Sequence, residues 1–439
     1  MFVGRERELA QLNQVFHKKE NSIVVLYGRE GVGKTSLIKE FIRDKRCVYY
    51  QAREWSMQEQ SKYYEEKRQE VADLLMKQDE KICFVVDEFD LMQKGYKGFF
   101  EEFNEYIHTL PMDSVMILFV SSNIPWVEKS MGDEIGELSG KITMTIKLKE
   151  FSFMEVTDRF PSASIEECIV IYSILGGVPG YLELWNPKES MKKNLLRLVI
   201  RPQGALRKEP SRYLKTVLRE LPFYNTILTV LAEDEPKLNY LYQRTGFSRA
   251  KISVYIKNLT QMGVAGKIVS FEPEKKDIVQ KGLYQITDAF LYFYYNLIYP
   301  HMTELEFLSP EEFYDRFLRD SMDELIHRTY MKVCCEFMEL MNRFDKLPVH
   351  FRSMGSLYGK EGFVPLVASN EEGALLIGTC KWSSKPFDKS DFEKILNDAE
   401  QIGKDADYYY LFSKEGFTSD FAAMASQMDN IECIDLEQM

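Results

Sequence analysis

Continuously apolar runs of strand length recur along the first third of the chain. Residues 23–27, 82–86 and 115–120 form such runs, and unbroken apolar character is typical of parallel strands that are covered on both faces. Residues 36–42, which follow the first run after a short gap, place apolar side chains at helical spacing. This pattern predicts an α/β domain with a parallel sheet in residues 1–150.

The rest of the chain shows three further patterns. Residues 151–220 carry the periodicity of amphipathic helices. Residues 221–300 predict two helices, a turn, a third helix and a two-stranded hairpin, which is the element order of a winged helix. Residues 301–439 open with an acidic helical stretch and then predict a second α/β region, with strands at 363–369, 374–382 and 407–412 and a helix at 390–402. We therefore expect an α/β protein of several domains.

Length and charge narrow the class of protein. A chain of 439 residues is long for one hydrophobic core. No apolar run approaches the roughly 20 residues that cross a bilayer, and the first ten residues, MFVGRERELA, are charged where a signal peptide is apolar. We therefore expect a soluble, cytoplasmic protein with no membrane partner. The net charge of −12 argues against non-specific nucleic-acid binding by the whole chain, but it permits a local basic module.

A glycine-rich motif follows the first predicted strand. Residues 28–35 read G-R-E-G-V-G-K-T, the pattern G-x-x-x-x-G-K-T between a strand and a helix. Its glycines let backbone N–H groups cradle phosphates, and the helix N-terminus adds positive potential. We expect ATP here, with Lys34 on the β- and γ-phosphates and Thr35 on magnesium. The expected nucleotide-binding residues of the loop are Gly28, Arg29, Glu30, Gly31, Val32, Gly33, Lys34, Thr35 and Ser36.

Acidic and polar residues end the next two predicted strands. Asp87 and Glu88 follow the second apolar run, where a Walker B strand carries its acids. We expect Asp87 to hold magnesium through water and Glu88 to orient or deprotonate the attacking water. The third run ends in S-S-N, and a polar residue there can sense the γ-phosphate. Ser122 and Asn123 are the candidates, and an ordinary polar exit from a strand is the alternative.

Two further stretches resemble a known family. Residues 2–9 read F-V-G-R-E-R-E-L and resemble the F-x-G-R-E-x-E-L opening of the AAA-related, STAND-like ATPases that are often called archaeal-type ATPases. Residues 175–182 read L-G-G-V-P-G-Y-L and resemble the G-G-x-P-x-Y-L signature of that family. The resemblance implies a P-loop ATPase core at 1–150 and a helical lid at 151–220. It also implies that Arg5 and Pro179 belong to the nucleotide pocket; a helix-start turn and a helix-breaking loop are the alternative interpretations.

The predicted winged helix, residues 221–300, is locally basic. Residues 237–286 contain nine lysines and arginines and three acids, and several of the basic residues fall on or near the predicted recognition helix: Arg249, Lys251 and Lys257, together with Ser248. Such a surface is typical of phosphate contacts with double-stranded DNA. The alternative is an internal clamp or protein contact, because STAND-like ATPases commonly use this module in that way.

The region 301–439 resembles a restriction-endonuclease-like domain of the PD-(D/E)xK type. The family pattern places an Asp on one strand and a Glu before a Lys on the next, and the two acids hold a divalent metal. Here the matching stretches read V-P-L-V-A from Val364 and G-T-C-K-W from Gly378, so Pro365 and Thr379 replace the acids while Lys381 and Trp382 remain. We therefore expect a degenerate nuclease fold without cleavage, unless Glu361 or Glu371 supplies a relocated carboxylate.

The sequence thus supports two functions. The first is a magnesium-dependent ATP-binding and hydrolysing regulatory switch, in which the ATP and ADP states move the lid and winged helix and a protein effector alters turnover. The alternative is a nucleotide-gated DNA-binding regulator or defence factor that acts through the winged helix. P-loop domains related to AAA proteins often form rings, so an oligomer is compatible with either function.

Overall fold

The structure, a computed structural model, describes residues 2–76, 80–95, 98–233, 238–272, 275–358, 363–401 and 405–439. The chain divides into two compact units. The first comprises Met1–Phe151 and Val178–Glu183, and the second comprises Ser152–Gly177 and Leu184–Met439. The chain therefore passes from the second unit into the first at Val178 and returns after Glu183. The finer division at 150, 220 and 300 stays a prediction.

The first unit contains a five-stranded parallel sheet flanked by helices. Its strands are β1 Ser22–Tyr27, β2 Cys47–Gln51, β3 Ile82–Asp87, β4 Val115–Ser121 and β5 Ile142–Lys147. Its helices are α1 Glu6–Phe16, α2 Lys34–Phe41, α3 Met57–Leu75, α4 Asp90–Gly95, α5 Phe99–Thr109, α6 Ile124–Lys129 and α7 Met131–Glu134, with a 3-10 turn at Gly136–Lys141. The strand order is β2-β3-β4-β1-β5, and every pairing is parallel.

Alternating side chains of the central strands enter two hydrophobic cores. In β1, Ile23 and Val25 belong to one core, whereas Val24 and Leu26 belong to the other. Successive side chains of a strand point to opposite faces, so a strand covered on both faces must be apolar at every position. This explains why the sequence predicted β1, β3 and β4 as unbroken runs. The outer strands β2 and β5 are partly exposed and were not predicted.

The second unit is helical at first and ends in a mixed sheet. The short helix α10, Pro179–Leu182, belongs to the first unit. The helices of the second unit are α8 Phe153–Arg159, α9 Ile165–Leu175, α11 Met191–Leu195, α12 Glu209–Lys215, α13 Leu221–Leu231, α14 Leu238–Thr245, α15 Arg249–Gln261, α16 Ala289–Phe293, α17 Met302–Phe307, α18 Pro310–Phe313, α19 Met322–Arg343, α20 Lys389–Gln401 and α21 Ser419–Ala425. π-helical segments follow at Leu196–Ile200, Tyr294–Ile298 and Tyr314–Leu318, and 3-10 turns at Tyr299–His301 and Leu436–Gln438. Its strands are β6 Ala265–Glu272, β7 Lys275–Ile286, β8 Ser353–Tyr358, β9 Phe363–Ser369, β10 Leu375–Lys381, β11 Tyr408–Ser413 and β12 Ile431–Asp435.

The carboxy-terminal sheet has the order β12-β11-β10-β9-β8. Strands β8, β9 and β10 pair antiparallel, whereas β10, β11 and β12 pair parallel. The antiparallel hairpin β6–β7 joins its core through Phe271, which is buried in one cluster with Leu357 and Val364. The backbone N–H of Tyr358 in β8 also donates to Ser270 Oγ at 3.0 Å. The hairpin β6–β7, which is the predicted wing of the winged helix, thus packs against the sheet that follows it and is hydrogen-bonded to β8.

Among the described residues, no helix is both long enough and apolar enough to cross a membrane.

Candidate nucleotide site

The glycine-rich loop joins β1 to α2 and depends on its glycines. Gly31 and Gly33 have φ angles of 80° and 95°, which side-chain-bearing residues rarely adopt. A Cβ on Gly28 would lie 2.4 Å from the carbonyl oxygen of Leu148, so a larger residue would collide with the backbone there. Gly33 is the N-cap of α2. The loop therefore turns its backbone toward the first turn of a helix, the arrangement that binds phosphate.

Lys34 is held inside this loop. Its Nζ donates to the carbonyl oxygens of Gly28 at 2.7 Å and Arg29 at 3.0 Å, and the residue is buried. Burial lowers the pKa of Lys34, while the nearby Glu88 and Asp87 carboxylates act in the opposite direction. The ammonium group is therefore under the electrostatic influence of the acids that end β3. The other polar residues of the loop and first turn, Glu30, Thr35 and Ser36, are exposed.

Asp87 ends β3 with both carboxylate oxygens engaged. Its Oδ1 accepts from the backbone N–H of Glu88 at 3.0 Å, and its Oδ2 accepts a short hydrogen bond from the hydroxyl of Tyr49 in β2. Burial raises the pKa of Asp87, and these hydrogen bonds oppose that rise. Burial and the bond to Asp87 also raise the pKa of Tyr49, which keeps its hydroxyl a donor. Tyr49 was not identified from the sequence.

Glu88 is bonded to the end of the neighbouring strand. The backbone N–H of Ser122 donates to Glu88 Oε2 at 3.0 Å, and the Ser122 hydroxyl donates to Oε1. Glu88 has a φ of 52°, a left-handed conformation that is uncommon outside glycine and often marks functional sites. Burial raises the pKa of Glu88, and the two Ser122 bonds oppose the rise. The predicted base and one predicted sensor residue are therefore in direct contact.

The structure separates the two sensor candidates. Asn123 is the N-cap of α6, where its side chain accepts from Trp126 N at 3.2 Å. Its Nδ2 lies 3.4 Å from Asp90 Oδ2, and the Ser121 hydroxyl donates to Asp90 Oδ1 at 2.7 Å. Asn123 thus terminates a strand and starts a helix, whereas Ser122 contacts Glu88. Of the two candidates, Ser122 is the one that lies beside the predicted base.

The turn that contains Pro179 lies against the glycine-rich loop. The N–H of Gly180 donates to the carbonyl oxygen of Gly31 at 2.9 Å, and a Cβ on Gly33 would be 3.8 Å from Pro179 Cγ. A second connection uses Arg29, whose guanidinium donates to the Tyr181 hydroxyl at 3.0 Å. This turn therefore has both a backbone and a side-chain link to the loop.

Arg29 also forms a buried ion pair. Its Nη1 lies 2.6 Å from Glu150 Oε1, and only 7% of its side chain is exposed. Arg5, the other arginine predicted for the pocket, donates to the carbonyl oxygens of Lys149 at 2.6 Å and Val32 at 3.3 Å. The two arginines hold the backbone of the loop in place. Glu150, Tyr181 and Tyr49 were missed from the sequence because each contact joins residues far apart in the chain.

In the second unit, the helix predicted to recognise DNA exposes a basic face. Residues 238–271 contain five lysines and arginines and no acids, and Arg249, Lys257 and Lys267 are exposed. Lys251 differs, because its ammonium lies 3.3 Å from the centre of the Phe223 ring and 5.0 Å from that of Phe247. A cation on an aromatic face is already partly satisfied, so Lys251 is less suited to a phosphate contact.

The predicted remnant of a nuclease site contains an ion pair. Gly378 of β10 pairs with Leu366 of β9, so the strands that carry Thr379 and Pro365 are neighbours. Lys381 Nζ lies 2.6 Å from Asp391 Oδ2 in α20 and also donates to a carbonyl oxygen.

Of the two relocated acids, Glu371 is exposed and pairs with Arg352 at 2.7 Å, and Glu361 lies outside the described residues. Among the described residues, no three His, Cys, Asp or Glu side chains are grouped to hold a metal.

Comparisons with known proteins find similarity over parts of the chain and over most of its length. Residues 2–75 match a family of ATPase domains found predominantly in Archaea, and residues 294–395 match a family of archaeal and bacterial proteins of unknown function. An uncharacterized protein of Methanocaldococcus jannaschii is 26% identical over 416 residues, which is 92% of each chain. An uncharacterized ATP-binding protein of the same organism is 44% identical over 46 residues, 10% of this chain and 78% of that one.

The fold is also found among solved structures. A Walker-type ATPase of Pyrococcus abyssi superposes with a TM-score of 0.50 and 15% identity, covering 67% of this chain and 96% of the other. At that identity the likeness concerns the fold alone. Together with the family match at residues 2–75, it supports the conclusion that the amino-terminal part of this chain has the fold of a P-loop ATPase domain.

Proposed function

We propose that this protein is a magnesium-dependent ATPase that works as a regulatory switch. The observation that carries the proposal is the convergence of three strand ends at one edge of the sheet. The loop after β1 supplies Lys34, the end of β3 supplies Asp87 and Glu88, and the end of β4 supplies Ser122 bonded to Glu88. These are the residue types that phosphoryl transfer to water requires.

Each residue has a distinct role in this proposal. Backbone N–H groups of residues 28–36 and the Lys34 ammonium bind the phosphates of ATP, and Glu88 orients or deprotonates the attacking water. Oxygen ligands suit magnesium, and the buried Asp87 carboxylate and the exposed Thr35 hydroxyl would hold it. Bound magnesium supplies positive charge against the phosphate oxygens.

The hydrolytic part of the proposal is tested by Glu88→Gln. We expect this variant to bind ATP like the wild type and to release phosphate at least about 100-fold more slowly, because it lacks the group that activates water. Glu105→Gln is the control, since Glu105 is exposed on α5. Phosphate release by Glu88→Gln at the wild-type rate would remove Glu88 from the mechanism.

The position of residues 178–183 supports the proposed switch. Gly180 N–H donates to Gly31 O. A change in the conformation of the loop on phosphate binding would therefore act on this hydrogen bond. Residues on both sides of this turn belong to the second unit, and a displacement of the turn is passed along the backbone in both directions. We propose that ATP and ADP states differ in this way, because a ligand shifts only those states that it contacts differently.

Hydrogen exchange at Gly180 tests the switch. We expect its amide to exchange at different rates in the ATP-bound and ADP-bound protein, measured with Glu88→Gln to prevent turnover. The amide of Leu228, inside α13, serves as the reference. Equal exchange at Gly180 in both nucleotide states would contradict coupling through this turn.

A second candidate function is nucleotide-gated binding of double-stranded DNA. It is favoured by the acid-free stretch 238–271 in a protein of net charge −12. The exposed Arg249, Ser253 and Lys257 are spaced four residues apart on α15, so they share one face of the helix, and its two basic side chains can contact phosphates. Ser270 and Phe271 of the hairpin contact the sheet that follows it, and we assign the DNA contact to α15.

Anisotropy of labelled duplex DNA in rising salt tests this second function. Few phosphate contacts predict a slope of about −2 in log K against log salt. Arg249→Ala and Lys257→Ala should each weaken binding, Lys251→Ala should weaken it less, and the exposed Lys188→Ala should have no effect. Binding that is insensitive to Arg249 and Lys257 would exclude α15 as the DNA contact.

A further inference from the structure

We propose that Tyr49 positions the magnesium-binding carboxylate of Asp87. Tyr49 would act through Asp87 and would not touch the reacting atoms. This inference rests on the proposed function, because it assigns a supporting residue to the same ATPase site.

The Tyr49 hydroxyl in β2 donates a hydrogen bond to Asp87 at the end of the neighbouring strand β3. Strand β2 pairs with β3 so that Tyr49 lies opposite Val85 and Gln51 lies opposite Asp87. The Tyr49 side chain therefore extends along the strand direction by two residues to place its hydroxyl on Asp87 Oδ2. A ring fixed in the sheet at one end and bonded at the other holds the carboxylate in one orientation.

The hydrogen bonds leave the carboxylate able to accept one more donor at each oxygen. A carboxylate oxygen has two lone-pair sites. In Asp87, one site on Oδ1 is used by Glu88 N–H and one on Oδ2 by the Tyr49 hydroxyl. The two bonds fix the plane of the group and leave a site on each oxygen for water bound to magnesium. Partners of this kind orient metal ligands, and their loss typically weakens metal binding about 10–100-fold.

The neighbouring tyrosine provides a matched control. Tyr50 lies on the same strand, is 4% exposed, and donates its hydroxyl to Gln60 Oε1 at 2.9 Å. Tyr49→Phe and Tyr50→Phe thus each remove one hydroxyl from β2 and keep the ring. Only the first removes a bond to Asp87.

Binding of a fluorescent, non-hydrolysable ATP analogue, with and without magnesium, tests the inference. The compared quantity is the gain in affinity for the analogue when magnesium is added. We expect this gain to be about tenfold smaller in Tyr49→Phe than in the wild type, and the same in Tyr50→Phe as in the wild type. Without magnesium, all three proteins should bind the analogue alike.

Two outcomes would overturn the role of Tyr49. One is an affinity gain from magnesium in Tyr49→Phe that equals the gain in the wild type. The other is loss of magnesium-free binding in that variant, which would make Tyr49 a support of the loop and not of the metal site. A wild-type protein that binds the analogue but fails to hydrolyse ATP would refute the proposed function alone, because the magnesium-linked gain would still decide the role of Tyr49.

Discussion

At the scale of single residues, buried charged side chains that are held by hydrogen bonds characterise the candidate nucleotide site. Lys34, Asp87 and Glu88 are all largely withdrawn from water, and burial raises the pKa of both acids and lowers that of the lysine. Perturbed pairs of this kind cluster at functional sites. Hydrogen bonds from the hydroxyls of Tyr49 and Ser122 partly offset the effect of burial on the pKa of Asp87 and Glu88. Small changes at these hydroxyls should therefore alter activity with little effect on the fold.

The pH dependence of ATP hydrolysis tests this compensation. Glu88 must be ionised to act as a base, so kcat/KM should fall as the pH drops through its raised pKa. The Ser122 hydroxyl opposes the rise, and Ser122→Ala should move this acid limb to higher pH. Comparing variants on one substrate cancels the ionisation of ATP itself, and the exposed Ser139→Ala should match the wild type. An acid limb that stays in place or moves to lower pH in Ser122→Ala would contradict the contact.

At the scale of elements, the sequence predicts what is local and misses what depends on register. The P-loop could be identified because its strand, glycines and helix are consecutive, and β3 because its two faces are buried. Strand β2 is partly exposed, and its short apolar run, residues 47–50, was not identified as a strand. Its Tyr49 reaches Asp87 only through the pairing of β2 with β3. Likewise, the contact of Tyr181 with Arg29 spans 152 positions. The predicted helices and hairpin at 221–300 are present, but their identification as a winged helix stays a prediction.

The packing of the hairpin gives a stability prediction at this scale. Phe271 of β6 is 3% exposed within the core of the carboxy-terminal sheet. Phe271→Ala should lower the free energy of unfolding of the second unit by about 3–5 kcal/mol, measured by urea denaturation. Phe307→Ala, at an 85% exposed position in the same unit, should change it by no more than about 0.5 kcal/mol. Equal effects of the two substitutions would mean that the hairpin does not share this core.

The paired strands β9 and β10 give a prediction about nuclease activity. Pro365 and Thr379 offer no carboxylate, and Lys381 is paired with Asp391 at 2.6 Å. Incubation of duplex DNA with the protein and either magnesium or manganese should therefore leave the DNA intact. Cleavage that disappears in Lys381→Ala would show that this sheet retains a catalytic site.

At the scale of the whole molecule, ATP binding and DNA binding are proposed for different compact units. The first contains every residue assigned to ATP, including those of the turn 178–183, and the second contains the basic helix α15 and the mixed sheet. The matched family at residues 2–75 and the Walker-type fold concern the ATPase part. The proposed function therefore depends above all on nucleotide binding by the first unit, and the proposed role of the second unit depends on that binding.

Binding of magnesium–ATP by Lys34→Ala, measured by titration calorimetry, decides whether the glycine-rich loop is the nucleotide site. Lys39 lies exposed on the same helix α2, and Lys39→Ala is the matched control for loss of one positive charge. We predict that Lys34→Ala loses at least about 100-fold in affinity, since a buried ammonium contact to phosphate is removed, and that Lys39→Ala binds like the wild type. Unchanged affinity in Lys34→Ala would contradict the assignment of the nucleotide to this loop.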